Sequence, residues 1–396
     1  MKNEILELNS NAKEEGKNYS KKRFAYNQIK RHLEERIFIA LIGPRGVGKT
    51  IILKQILSET DSSFYISLDT QRLENSIFET AKELSEKGIK LLLLDEVHTY
   101  PNFEKDLKKT HDFLGINIIF TSSSAISLQE SSYDLSRRVR IIKIPPFSLR
   151  ELALFENNEE IKAIKLEEIE NVKTAKEIYG KTIHLEKLFE RYLQGKNYPF
   201  TLGKTDFLPL FSSILDTIIQ KDLLLTGRAT PEETIEIEKM LKFIGTSRAE
   251  DINHTSLAKN LGITKYKIEK YCKLLEKAFV LKQIYPRGTN VLKEPKILLS
   301  LPYRLLYKKY EDCIGALRED FFTDELANQG IEFFYLKSKR GEKVPDYLVN
   351  ETVFEIGGAS KGTSQFKGIT AENKIILTQP GQLTNEKRPL YLIGLI

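Results

Sequence analysis

The stretch Gly43-Pro44-Arg45-Gly46-Val47-Gly48-Lys49-Thr50 decides the reading of this chain. It lies between an apolar run, Ile37 to Ile42, and a helical pattern from Ile51 to Leu57, so it joins a buried strand to a helix. Its spacing is G-x-x-x-x-G-K-[ST], a phosphate-binding loop in the strand-loop-helix context that gives the motif its meaning. Gly43, Gly46 and Gly48 let the backbone curl into a concave row of N–H donors that bulkier residues would block. Lys49 can reach the β and γ phosphates, Thr50 can offer its hydroxyl to Mg²⁺, and the following helix turns its positive end toward the anion. The alternative is a glycine-containing turn that matches by chance.

A nucleotide hydrolase needs further parts downstream, and candidates for each are present. Ile89 to Leu94 reads as a buried strand ending in the acidic pair Asp95-Glu96. Asp95 would hold the hydration shell of Mg²⁺, making Thr50 and Asp95 the expected metal residues, and Glu96 would polarise the attacking water. Asn117 to Phe120 predicts another short strand, ending in Thr121-Ser122-Ser123-Ser124, where Thr121 or Ser122 could sense the γ-phosphate. An acidic pair can also be a turn or a helix cap, and a serine run only a loop. His98, just beyond the pair, could touch the metal's hydration shell but reads rather as a loop histidine or one that supports a ligand from behind.

The chain has 396 residues, which predicts two or three domains with ample apolar material for a core. Sixty-one Lys and Arg against 55 Asp and Glu leave a net charge of +6, an excess that permits nucleic-acid binding without arguing for it. Cys272 and Cys313 make neither a metal spacing nor a disulfide framework, as suits a reducing compartment. No apolar run approaches a membrane span, and the N-terminus carries mixed charges rather than a signal sequence. The expected location is the cytoplasm.

Residues 1–35 form an N-terminal helical segment, basic in its second half through Lys17, Lys21, Lys22, Arg23, Lys30 and Arg31, which reads as a solvated face. Ser63 to Leu68 predicts a second strand, Asn75 to Lys87 a helix with apolar positions Ile77, Ala81 and Leu84, and Arg140 to Ile144 a fifth strand. Strands alternating with helices over this length mean a parallel α/β sheet with the nucleotide at the carboxyl ends of the strands.

Ahead of the fifth strand, Asp134-Leu-Ser-Arg-Arg-Val-Arg140 contains three arginines, one of which could stabilise charge on the γ-phosphate, in its own chain or across an oligomer interface. The succession Gly-Pro-Arg-Gly-Val-Gly-Lys-Thr, Leu-Leu-Leu-Leu-Asp-Glu-Val-His, Thr-Ser-Ser-Ser, Leu-Ser-Arg-Arg-Val and Pro-Pro-Phe-Ser-Leu-Arg-Glu-Leu resembles the archaeal-type branch of AAA+ ATPases. That resemblance implies ATP as the nucleotide and Arg138 as the transition-state cation; the family's glycine before this arginine is replaced by Arg137. It also implies an AAA+ core at 36–155, a helical lid at 156–235, a winged helix at 236–312 and a restriction-endonuclease-like domain at 313–396. Phe189 to Phe200 and Ile214 to Leu225 resemble the family as helical packing, and Asn157 to Lys176 reads as an exposed connection.

His254 to Leu275 has the pattern of a helix-turn-helix. Leu257, Ala258 and Leu261 supply one stripe, Gly262 the turn, Thr264 a cap, and Ile268, Tyr271, Leu274 and Leu275 a second stripe. Lys265, Lys267, Lys270 and Lys273 would decorate the outer side and could meet DNA phosphates, although no arginine or asparagine for base readout is present. Ala278 to Tyr285 and Val291 to Leu299 would be wing strands. Further on, Glu319, Asp346 and Glu355 fall on the nuclease pattern, but the lysine expected two residues after the second strand carboxylate is Gly357. Lys361 lies close by, Lys337 to Lys343 reads as a hairpin tip, and the domain is expected to be inactive.

The sequence thus predicts a Mg²⁺-dependent ATPase that couples nucleotide state to DNA or protein remodelling. A nucleotide-controlled DNA-binding regulator and an ATP-gated nuclease are the alternatives. Expected partners are ATP and either double-stranded DNA or a protein, in a chain able to form a homo-oligomer.

Overall fold

The computed structural model describes residues 3–71, 73–122, 135, 137–224, 227–248, 252–288, 294–336 and 344–396. Ser123, Ser124, Asp134, Ser136, Leu225, Val291 and the tip Lys337 to Lys343 lie outside them. The chain divides into two units, Met1–Pro146 and Phe147–Ile396.

In the first unit the apolar runs become the strands β1 (Phe38–Ile42), β2 (Ser63–Ser67), β3 (Leu91–Asp95), β4 (Asn117–Ser122) and β5 (Val139–Lys143). They form one parallel sheet in the order β2-β3-β4-β1-β5. Every residue of β1 and β3 is buried, as expected of parallel strands covered on both faces. The helices between them are α3 (Lys49–Glu59), α4 (Ile77–Glu86) and α5 (Phe103–Phe113). In α4 the predicted stripe Ile77, Ala81 and Leu84 is buried, and Ser76 caps the helix by accepting from Glu79 N–H. This connectivity gathers the carboxyl ends of β1, β3 and β4 side by side, with Leu41 opposite Thr121 and Ser67 opposite Asp95.

Ahead of the sheet run α1 (Asn3–Lys17) and α2 (Phe24–His32). Their basic residues divide into two groups. Lys17 pairs with Glu14, and Lys22 and Lys30 share Glu59 on α3, so this charge is partly compensated at the surface. Arg23 departs from the solvated face predicted for it and is buried.

The second unit opens with α6 (Leu149–Asn157), α7 (Leu166–Glu170), α8 (Val172–Thr182) and α9 (Leu185–Arg191). The connection expected to be exposed buries Ile161, Leu166, Ile169 and Ala175. Leu166, Ile169, Leu188 and Phe189 share one apolar core with Leu317, Phe321, Phe354 and the terminal run Leu390–Leu395. Segments that the sequence pattern separates as a lid and a nuclease-like domain therefore bury a common surface. The buried guanidinium of Arg388 fastens them further, donating to Ile169 O at 2.9 Å and Glu170 O at 3.1 Å.

The middle of this unit holds a helical pair followed by a hairpin. After α10 (Leu208–Thr217) and α11 (Pro231–Thr246) come α12 (His254–Leu261) and α13 (Lys265–Lys277), then the antiparallel strands β6 (Leu281–Ile284) and β7 (Lys296–Leu299). Gly262 takes a left-handed φ of 67° at the turn, and Asn253 and Thr264 cap the two helices. The long helix α14 (Tyr310–Asn328) precedes a mixed sheet of β8 (Phe333–Tyr335), β9 (Tyr347–Val349), β10 (Thr352–Gly357), β11 (Asn373–Thr378) and β12 (Lys387–Pro389), ordered β12-β11-β10-β9-β8.

Candidate active site

The loop after β1 adopts the backbone that its glycines predict. Gly46 and Gly48 have φ of 84° and 92°, a region costly for residues with a Cβ. Gly43 is required for a different reason: a Cβ there would stand 2.1 Å from Ile144 O. Lys49 is buried at the first position of α3, and its ammonium donates to Gly43 O at 2.8 Å and Pro44 O at 2.9 Å, inside the curl of the loop.

Asp95 stands across from the loop and is nearly enclosed. Its Oδ2 accepts from Thr50 Oγ1 at 2.8 Å and from Tyr65 Oη at 2.9 Å, and its Oδ1 from Thr121 Oγ1 at 2.5 Å. Burial pushes the Asp95 carboxyl above its usual range, and the neighbouring Glu96 adds to this, while the three hydroxyls favour the charged form. The Thr50 hydroxyl beside a carboxylate fits a Mg²⁺ that takes oxygen ligands and keeps much of its water. Among the described residues no group of three or more His, Cys, Asp or Glu could form an all-protein metal cage.

Thr121 holds the acidic pair together. Its hydroxyl gives its proton to Asp95 and accepts the Glu96 N–H at 2.8 Å. With that proton directed at Asp95, the geometry favours an orienting role over direct phosphate sensing. Glu96 itself takes a left-handed φ of 53°, turning its side chain away from the strand direction. His98 Nδ1 lies 3.1 Å from Glu96 Oε2 and 3.5 Å from Ser122 Oγ, so the histidine bridges the two candidate groups for handling water. Tyr65 was not legible as a site residue; its signal would have been a hydroxyl-bearing aromatic on the strand neighbouring the acidic one.

Arg138 stands elsewhere. Phe38 N–H donates to Arg138 O at 2.9 Å, which places this arginine where β1 begins, whereas the phosphate loop follows its far end at Ile42. A five-residue strand at ~3.3 Å per residue separates them by roughly 15 Å. The guanidinium is ion-paired to Asp112, with Nε to Oδ1 at 2.8 Å and Nη2 to Oδ2 at 2.9 Å. In this structure it lies at the end of β1 away from the loop of its own chain.

A second cluster occupies the C-terminal sheet. Asp346 Oδ2 accepts Ile356 N–H at 2.8 Å, Glu355 Oε1 pairs with Lys361 Nζ, and Glu319 Oε2 accepts from Tyr347 Oη at 2.8 Å and pairs with Lys296. Glu355 is 1% exposed, and its Oε2 has no hydrogen-bond partner among the described residues. Burial and the neighbouring Glu319 and Glu355 raise the Asp346 carboxyl above its usual range. A Cβ on Gly357 would stand 2.8 Å from Lys361 Cδ, so the stem of Lys361 fills the space beside residue 357.

A phosphate-binding loop closing on Lys49, a hydroxyl-bound acidic strand end and a parallel 2-3-4-1-5 sheet together define an AAA-type P-loop ATPase domain. Residues 35–153 match the family described as AAA domain, and residues 199–300 match a domain of unknown function, DUF8612. The uncharacterized protein MJ1637 of Methanocaldococcus jannaschii is 31% identical over 392 residues, covering 88% of this chain and 82% of its own, and the chain belongs to its family. Among solved structures, a Walker-type ATPase of Pyrococcus abyssi aligns over 70% of this chain and 93% of its own with 15% identity and a TM-score of 0.42.

Proposed function

We propose that this chain is a Mg²⁺-dependent ATPase whose nucleotide state is coupled to the binding or remodelling of DNA or a protein. The observation that carries the reading is the Thr50–Asp95 hydrogen bond at 2.8 Å beside the loop-buried ammonium of Lys49. The amides of 43–50 and Lys49 bind the phosphates, and Thr50 and Asp95 hold the cation. A Mg²⁺ held by Thr50 and Asp95 would supply charge neutralisation on the phosphates. Glu96 accepts a proton from the attacking water as the γ-phosphorus bond to the leaving oxygen breaks. Thr121 fixes the Asp95-Glu96 pair, and Ser122 is left to face the water or the γ-phosphate. In this reading Arg138 acts only on the site of a second copy.

Residues 236–312 fit a winged helix used for packing or protein contact. In support, Lys267 pairs with Glu236 and Lys270 with Glu233 on α11, which directs both ammoniums at the protein's own carboxylates. The test is phosphate release from ATP and Mg²⁺, with and without double-stranded DNA, beside Lys49→Ala and Glu96→Gln. Loss of hydrolysis in both variants supports the reading; hydrolysis that persists in Lys49→Ala sinks it. Stimulation by DNA selects DNA over a protein as the coupled partner.

A second reading, an ATP-gated nuclease at 313–396, is favoured by one observation: Lys361 pairs with Glu355 from the space left open at Gly357. Asp346 and Glu355 would hold a divalent cation, which supplies charge neutralisation on a phosphodiester, and Lys361 would orient the water. Mg²⁺-dependent nicking of plasmid DNA that requires ATP and disappears in Lys49→Ala, and that is also lost in Asp346→Ala and Lys361→Ala although these still hydrolyse ATP, supports it. No cleavage with either Mg²⁺ or Mn²⁺, with or without ATP, leaves this region a packing domain.

A further inference from the structure

Arg23 occupies the position before the first turn of α2, yet it is only 6% exposed. Its guanidinium reaches two segments far apart in sequence. Nη1 donates to Val47 O at 2.5 Å, while Nη2 donates to Pro145 O at 2.8 Å and Pro146 O at 3.3 Å. The planar fork of arginine holds both directions in one rigid geometry, which a lysine ammonium on a flexible stem fixes less tightly.

The Val47 carbonyl matters because of what shares its plane. A peptide is flat and trans, so fixing Val47 O fixes the opposite direction of Gly48 N–H, a member of the donor row that faces a phosphate. The other end of the fork grips a stiff segment: two successive prolines have restricted φ and no N–H of their own. That segment also lies along the start of the loop, with Ile144 N–H donating to Ile42 O at 2.7 Å and Ile144 O leaving no room for a Cβ on Gly43.

We propose that Arg23 is a positioning residue that couples the Val47–Gly48 peptide of the phosphate loop to Pro145–Pro146, where the chain leaves the ATPase unit. An anion drawing on Gly48 N–H turns the shared peptide plane, and the guanidinium carries that turn to the proline carbonyls. The inference rests on the ATP-binding reading above.

The test is amide hydrogen exchange of the full chain with and without ATP and Mg²⁺, alongside direct titration with a fluorescent ATP analogue. In the wild type, nucleotide is expected to slow exchange at residues 48–52 and to change it at residues 147–153. In Arg23→Met, which keeps most of the stem but no donor, the analogue still binds within about tenfold and 48–52 still respond, but the change at 147–153 is lost. Arg23→Lys, a milder change to the fold, is expected to keep less than half of it. Equal responses at 147–153 in the wild type and both variants overturn the coupling, as does a wild type in which 48–52 respond and 147–153 do not. A wild type that fails to bind the analogue overturns the ATP-binding reading itself, and the coupling with it.

Discussion

Arg138 and Lys49 stand at opposite ends of strand β1: the carbonyl of Arg138 accepts from Phe38 at its start, and Lys49 lies in the helix turn beyond its finish. The separation decides how an arginine just upstream of β5 can act. Its guanidinium is tied to Asp112 through a solvent-exposed pair, a kind that contributes little to stability. Arg138→Ala is therefore expected to lower the melting temperature by a few degrees at most and to leave single-turnover hydrolysis by dilute protein unchanged. If the residue serves a neighbouring copy, the loss of kcat will grow with protein concentration. A large loss that is independent of concentration would contradict the geometry.

Asp95 and Glu96 adjoin but face different tasks, and their variants should separate. Glu96→Gln is expected to reduce kcat by ~10²–10⁴-fold while leaving ATP affinity nearly intact, because it removes a proton acceptor without emptying the phosphate loop. Asp95→Asn should instead raise the Mg²⁺ concentration needed for half-maximal hydrolysis. Titrating Mg²⁺ against phosphate release for both variants checks the division, and matching profiles would argue against it.

In the second unit Glu325 is buried, and its carboxyl is pushed up to about 8, chiefly by burial. Tyr192 Oη lies 2.8 Å from Glu325 Oε1 and 2.6 Å from Phe147 O, but a phenol has one proton for two acceptors. A protonated Glu325 completes the chain by donating to the phenol, which donates to the carbonyl. Because the folded-state value is raised above the unfolded ~4.3, the folded form holds the extra proton between the two. Stability is thus greatest at low pH with respect to this group and falls, by up to about 1.4 kcal/mol per pH unit, as pH rises from ~4.5 to about 8. Glu325→Gln should flatten that slope in chemical-denaturation curves taken between pH 5 and 8; an unchanged slope refutes the assignment.

Lys267 and Lys270 carry the question of whether α13 reads DNA. Their pairs with Glu236 and Glu233 predict that Lys267→Ala and Lys270→Ala each cost ~0.2–1 kcal/mol of stability and leave any affinity for double-stranded DNA unaltered. Fluorescence anisotropy with a labelled duplex across a salt series checks this. A weaker affinity with a shallower salt slope would mean that these lysines leave the carboxylates to meet phosphates.

The amino-acid sequence by itself determined the phosphate loop, the acidic strand end and the parallel α/β core, because each depends on neighbours within a few positions. Glycine spacing sets local backbone curvature, a continuous apolar run sets a buried strand, and Asp95-Glu96 closes one. The helical pair around Gly262 was legible for the same reason, through its cap and stripe. Only the tertiary structure decided what the long-range partners do. Arg23 looked like one more surface cation until Pro145, 122 positions away, supplied a carbonyl for it. Arg138 looked adjacent to the nucleotide until the direction of β1 put it at the other end of the sheet. Lys361 lies against Gly357 and pairs with Glu355, and the helices after Phe147 merged with the C-terminal sheet because their sparse apolar residues found one shared core. Local patterns specify which elements form; the burial of charge and apolar surface among distant segments specifies which side chains meet.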